Sequence, residues 1–175
     1  MKQIRLNLDP HLKSNRKPGN KELRITDGER GYSYRTLFFD YLQGVKKVTI
    51  EDSFIRHHYQ IINFLRFCEL CAIADTVKDI NLVTTTVDCD LEKKQFQEDK
   101  LNEIVESLLE CEINLSIEFS NTLHDRRIEL DNGWVITLGR GLDIYKPLEH
   151  WFKIGANELD LRRCHETTIV FHRAK

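Results

Sequence analysis

Between Lys47 and Phe119 the hydrophobic period switches repeatedly, and that alternation leaves few folds open to the chain. Lys47-Val48-Thr49-Ile50-Glu51 reads as a short strand. From about Arg56 to Ala74 a long helical pattern follows, with Ile61, Ile62, Leu65 and Leu70 as core candidates. Asp79-Ile80-Asn81-Leu82-Val83-Thr84 returns to strand, and Leu101, Ile104, Val105, Leu108 and Leu109 mark an amphipathic helix. Ile113 to Phe119 then alternates strictly with period two, as a half-buried strand does. Strand–helix–strand–helix–strand order predicts a largely parallel sheet with helices on its faces.

The flanks extend this core. Ser33 before Tyr34, Leu37, Phe38 and Tyr41 supplies an N-cap and an apolar stripe, closed by Gly44. Downstream, Arg127-Ile128-Glu129-Leu130 and Trp134-Val135-Ile136-Thr137-Leu138 flank Asp131-Asn132-Gly133, the signature of a hairpin. Thr167 to Phe171 adds a last β-rich segment. The expected fold is α/β, a mixed and mostly parallel sheet flanked by helices, with a C-terminal hairpin. Lys2 to Leu8 alternates like a further strand, and Asp9 to Lys21 is polar, with Pro10, Pro18 and Gly19. Residues 1–22 are therefore expected to form a strand and flexible basic arm, and residues 23–175 one domain.

Charge and cysteine usage narrow the function classes. Lys and Arg number 26 against 28 Asp and Glu, a formal net charge of −2, which argues against a general nucleic-acid coat but permits a local basic patch. No apolar run approaches the ~20 residues of a membrane span, and the start Met1-Lys2-Gln3-Ile4-Arg5 lacks a secretory signal. A cytoplasmic protein is expected, with peripheral membrane contact as an option. Cys68 and Cys71 form a C-x-x-C inside an apolar helical stretch, which reads as two buried hydrophobes in a reducing compartment. No H-E-x-x-H, zinc quartet, P-loop or dinucleotide fingerprint is present, so no metal or cofactor is expected.

The stretch that carries chemistry is Leu123 to Trp134. On a strand, His124, Arg126, Ile128 and Leu130 share one face. A histidine beside an arginine suits a phosphate: the guanidinium offers a planar fork of donors, the imidazole a proton carrier or nucleophile. The bland alternative places both at a sheet edge among ordinary solvent and carboxylate partners. Gly139-Arg140-Gly141 follows the hairpin, with backbone able to curl around an anion or simply to turn. Arg56 and His57, with His58, lie between a strand end and a helix start, where α/β sheets take ligands.

His124, Arg126 and Asp131 spell H-x-R-x-x-x-x-D, which resembles the phospholipase D superfamily motif H-x-K-x-x-x-x-D with Arg for Lys. More of the chain resembles one branch of that superfamily, the phospholipase D-like C-terminal domain of MIT-domain-containing proteins, which act with the ESCRT machinery. The similar segments are Ile50 to His57, Asn63 to Glu69, Leu123 to Arg126, Asn132-Gly133-Trp134, Gly139 to Asp143 and Asp160 to Thr168. The resemblance implies half of a phospholipase D fold, a homodimer, and binding to acidic or phosphoinositide-containing membranes without catalysis. It also places His165 and Glu166 in the shared cleft. In those proteins an MIT domain precedes this region and recruits ESCRT subunits. No such domain is read here, so ESCRT binding is not expected to follow.

Two readings stand. In the first, His124, Arg126, Asp131, Arg140, Arg56, His57, His165 and Glu166 form the phosphate site of a non-catalytic homodimer on anionic phospholipid headgroups. In the second, two copies of His124 meet across a dimer axis and the protein is an active phosphodiesterase or nuclease, His124 being the nucleophile. Arg126 in place of Lys, and Gly139-Arg140-Gly141 in place of the superfamily's downstream segment, favour binding. Nucleic acid ranks below lipid as a ligand, because few aromatics offer themselves for base stacking.

Overall fold

The computed structural model describes residues 17–87 and 89–174. The expected strand at Lys2 to Leu8, and the arm residues Lys13 and Arg16, lie outside them. The elements in chain order are β1 (Lys21–Ile25), α1 (Tyr34–Phe38), β2 (Lys47–Glu51), α2 (His58–Ala74), β3 (Asp79–Thr84) and α3 (Leu91–Glu110). They continue as β4 (Asn114–Phe119), β5 (Arg127–Leu130), β6 (Trp134–Leu138) and β7 (Thr167–Arg173). Local chemistry sets several boundaries. The Ser33 hydroxyl accepts from the Thr36 N–H at 3.1 Å to start α1, and the Asp90 carboxylate accepts from the Lys93 N–H at 3.1 Å to start α3.

The strands form one seven-stranded sheet in the order β1-β7-β6-β5-β2-β3-β4. Only β2–β3 and β3–β4 are parallel, and the other four pairings are antiparallel. The expected mostly parallel sheet is therefore corrected to a mostly antiparallel one. The two helical crossovers do give parallel neighbours. The β5–β6 hairpin, however, lies beside β2, and β7 and β1 then add on by antiparallel pairing. The hairpin sits where the Asp131-Asn132-Gly133 sequence predicts it.

Aromatics of α1, of the turn after it and of α2 pack against one another and against β7. Phe38 meets Phe67 edge-on at 5.7 Å between ring centroids, and Tyr41 stacks on Phe171 at 4.6 Å. Cys68 and Cys71 are fully buried in this core, and burial pushes both thiols up. Their pair packs as small hydrophobes, as expected.

One end of the sheet gathers the residues that concern function. The C-terminal ends of β2 and β3 meet the start of β5, the end of β6 and the start of β7, with Glu51 opposite Arg127 and Leu138 opposite Ile169. Helix α3 pins this end through Gln97, a fully buried amide. Its Nε2 donates to the Ile55 carbonyl at 2.8 Å and to the Thr85 carbonyl at 2.9 Å, tying together the loops that leave β2 and β3. Gln97→Leu strips both carbonyls of a buried donor, although Gln97 Oε1 itself lacks a partner. The expected loss is about 2 kcal/mol of stability in urea denaturation; a change under about 0.5 kcal/mol would reject this role.

Candidate functional site

The loop after β2 is the foundation of the site. Asp52, 2% exposed, turns its carboxylate inward to accept from the Phe54 N–H and the Leu142 N–H, each at 3.0 Å. Burial raises its pKa, opposed by those two N–H groups and by the positive charge of Arg126. The loop from β6 can approach so closely only because residue 141 has no side chain. A Cβ there would lie 2.0 Å from Asp52 Oδ2, and the backbone sits at φ +63°. Gly139 is confined too, since its Cβ would stand 3.0 Å from Thr167 Oγ1 and 3.1 Å from the Thr168 carbonyl. Both glycines of Gly-Arg-Gly thus serve close packing, and between them they hold out Arg140.

Next to this foundation, the Arg126 guanidinium lies 4.4 Å from the Phe54 ring centroid and that of Arg56 lies 5.0 Å from it. An aromatic ring flanked by two guanidiniums relieves little of their mutual repulsion, so the pair favours an incoming anion. Arg127 is different. It is matched by Glu51 and Glu129, each at 3.0 Å from its Nε, and its charge is answered within the protein.

Beside these lies a cleft of about 490 Å³. Its walls carry His58, Arg66, Arg140, Lys146, Arg162 and His165, against one carboxylate, Asp143. Two of the bases are already engaged: Lys146 pairs with Asp27 at 2.6 Å, and Arg162 is bonded to backbone carbonyls. Arg66 and Arg140 are not neutralised in this way. Arg66 donates to the Asn63 side-chain oxygen at 3.1 Å, and Arg140 donates to the Asp143 carbonyl at 3.2 Å. Both contacts hold a guanidinium in place without cancelling its charge. Desolvation, then the nearby Arg140, lowers the pKa of His165, while Asp143 partly opposes them. Burial raises the pKa of Asp143, opposed by Arg140, His165 and Arg126. Arg126 and Arg140 therefore act on the same carboxylate, and the arginine pair and the cleft belong to one electrostatic unit.

Comparison with known proteins decides the family. The family model described as the phospholipase D-like domain at the C-terminus of MIT matches residues 31–173. The chain belongs to that family. It is also 40% identical, over 171 residues, to mouse MIT domain-containing protein 1, covering 95% of this chain and 68% of the mouse protein. Among solved structures, the polyphosphate kinase of Porphyromonas gingivalis matches at 9% identity with a TM-score of 0.43. That match covers 89% of this chain and 23% of the kinase, so the chain spans under a quarter of its length.

In this phospholipase D-like domain the expected site residues divide. Arg56, Arg126, Arg140 and His165 converge on the sheet end described above. His57 is exposed at the start of α2 and stacks on Tyr59 at 6.2 Å, and Tyr59 in turn lines the cleft. His124 is exposed in the irregular segment before β5, which begins only at Arg127. Glu166 is exposed, and its N–H faces Asp27 while its side chain stays off the cleft wall. Asp131 is a correction. It lies at the opposite end of the sheet, where its carboxylate accepts from the N–H groups of Lys46 and Lys47 at 3.1–3.3 Å. It secures the hairpin turn, away from the sheet end that gathers Arg126 and Arg140.

Sequence reasoning missed Arg66, Asp52, Phe54, Lys146 and Trp151. Arg66 was within reach: His58, Ile62 and Arg66 recur every four residues along α2, and all three line the cleft. Asp52 had little local signal, because its Phe54 N–H contact is an ordinary turn bond and the Leu142 N–H comes from a loop 90 residues later. No helix among the described residues is long and apolar enough to cross a membrane.

Proposed function

We propose that this domain is a non-catalytic, peripheral membrane module that receives the phosphate of anionic phospholipid headgroups, phosphoinositides included, in the cleft at this sheet end. The observation that carries the reading is the convergence of Arg66 and Arg140 on a cleft of about 490 Å³ whose wall offers one carboxylate. The Arg56–Phe54–Arg126 cluster extends the same positive field. Arginine suits this task, since its planar fork meets two phosphate oxygens at once. The exposed position of His124, ahead of the strand, favours binding over turnover: a nucleophilic histidine needs an oriented partner. The proposed working form is a homodimer, which would present two such clefts to one lipid surface and strengthen attachment by avidity.

The test compares wild type, Arg140→Ala and Arg126→Ala on vesicles of phosphatidylcholine alone and with phosphatidylserine and a phosphoinositide. Headgroup release is followed in the same tubes. Expected are binding to the anionic vesicles only, weakening with added salt, and no release. Each lost guanidinium costs about 1 kcal/mol, roughly a fivefold drop in affinity. Equal binding to neutral vesicles, or no effect of either substitution, would defeat the reading. Release abolished by His124→Ala would instead establish a phosphodiesterase, and sedimentation equilibrium on the same protein tests the dimer.

A further inference from the structure

One feature of the cleft rim is not a phosphate contact at all. Trp151 is 69% exposed, Phe152 is exposed to the full extent, at 105%, and Ile154 is 82% exposed. Three large apolar side chains thus crowd four consecutive positions of one loop, interrupted by Lys153. Scattered apolar residues are normal on a protein surface, but a contiguous projecting set marks a contact site.

The loop is built, not left over. Arg162, 7% exposed, reaches under it and donates to the carbonyls of Gly155, Ala156 and Lys146, so one side chain clasps both of the loop's stems. Gly155 turns the chain at φ +90°, and any Cβ there would lie 2.9 Å from the Leu161 carbonyl. Ala156 closes a turn through its N–H to the Lys153 carbonyl at 3.0 Å. The apolar tip therefore stands on a rigid base.

Trp151 also lines the cationic cleft, so the tip and the cleft share a rim. We infer that Trp151, Phe152 and Ile154 form a wedge that enters the acyl region of an anionic lipid leaflet while the adjacent cleft holds a headgroup. This rests on the headgroup reading above and adds to it a hydrophobic anchor. The chemistry points to lipid for three reasons. Tryptophan is favoured at the boundary between headgroups and acyl chains. Lys153 places a long cationic side chain, now paired with Glu149 at 3.1 Å, where it can reach up to headgroup phosphates. Three side chains cover only a few hundred Å², well short of the roughly 800 Å² per partner of a stable protein interface.

The protein carries its own probe. Of its two tryptophans, Trp134 is 3% exposed and Trp151 is at the tip. The full chain is mixed with vesicles of phosphatidylcholine and phosphatidylserine in which a fraction of the phosphatidylcholine bears bromine on its acyl chains. Tryptophan emission is expected to shift to the blue and to be quenched by the brominated lipid, and the quenching is expected to vanish in Trp151→Phe. Phe152→Asp is expected to weaken vesicle binding roughly tenfold or more, while leaving affinity for a soluble inositol phosphate unchanged. Binding to vesicles without quenching, or undiminished vesicle binding by Phe152→Asp, would overturn the wedge and leave the headgroup reading standing. Equal loss of soluble and vesicle binding in Phe152→Asp would also overturn it, assigning the residue to the cleft itself. Concentration-dependent self-association removed by Phe152→Asp, with no quenching, would make the tip a contact between copies. Failure of wild type to bind both the vesicles and the soluble inositol phosphate would remove the headgroup reading and the wedge together.

Discussion

Replacing Gly141 by alanine is expected to destabilise the domain by about 3–5 kcal/mol. The new methyl would occupy a position 2.0 Å from Asp52 Oδ2 and 2.6 Å from its Cγ. Asp52 cannot swing aside without abandoning the Phe54 and Leu142 N–H groups, of which Leu142 is buried. The backbone adds its own part, since φ +63° disfavours any L side chain by about 1–2 kcal/mol. For a chain of this size the melting temperature should fall by roughly 10 °C. A second variant separates the causes. Asp52→Ala alone takes the acceptor from the Phe54 N–H and the buried Leu142 N–H, but it removes the atoms that the methyl would strike. The double variant should therefore cost clearly less than the two single costs added. Additive costs, or a Gly141→Ala protein within about 1 kcal/mol of wild type, would show that carboxylate and glycine do not meet in this way.

Arg162→Ala is expected to cost about 3 kcal/mol and to open the loop it clasps. Its guanidinium donates to three carbonyls, and burial, then the neighbouring Arg66, lowers its pKa. Without it those carbonyls lose their donors, each at a cost of about 1–3 kcal/mol where water cannot enter. The local consequence is more diagnostic than the global one. Trypsin cleavage after exposed Lys153 should accelerate more than tenfold under native conditions, because opening the loop no longer opposes those bonds. Arg163→Ala, at an exposed neighbouring position, should leave the cleavage rate near that of wild type. Equal rates in all three proteins would remove Arg162 as the clasp.

Much of the fold was legible because its strands are patterned locally. Val48 and Ile50 are buried while their neighbours are not, and Ile128, Leu130, Trp134, Ile136 and Leu138 repeat the device across the hairpin. The direction of pairing was not legible. Nothing within Arg127 to Leu130 says that this strand will lie beside β2, and that choice turns a parallel sheet into a mostly antiparallel one. The site was half legible. Arg56, Arg126 and Arg140 were read from strand ends and loop chemistry, His165 only from the family resemblance, and the four lie at one end of the sheet. Asp131 illustrates how a motif misleads when distance is ignored. Seven residues of extended chain span roughly 23 Å, so a residue at one end of β5 cannot share a pocket with a residue beyond its other end. The cleft wall from α2 and the Trp151 loop depend on tertiary approach, which one-dimensional spacing does not encode.

The position of β7 gives the cleft a place in time. This strand lies between β6 and β1, its Phe171 opposite Lys21, and its Thr168 carbonyl accepts from the Gly139 N–H. Pairing across nearly the whole length of the chain is slow to nucleate, because a very large loop must close before any contact repays it. During synthesis the helices and the parallel strands of the middle can assemble while the ribosome is still extending the chain. The cleft end of the sheet cannot be completed then, because β7, whose Thr168 carbonyl holds the Gly139 backbone, follows the other described strands. If the cleft holds anionic headgroups as proposed, a nascent chain gains that capacity only once β7 has paired.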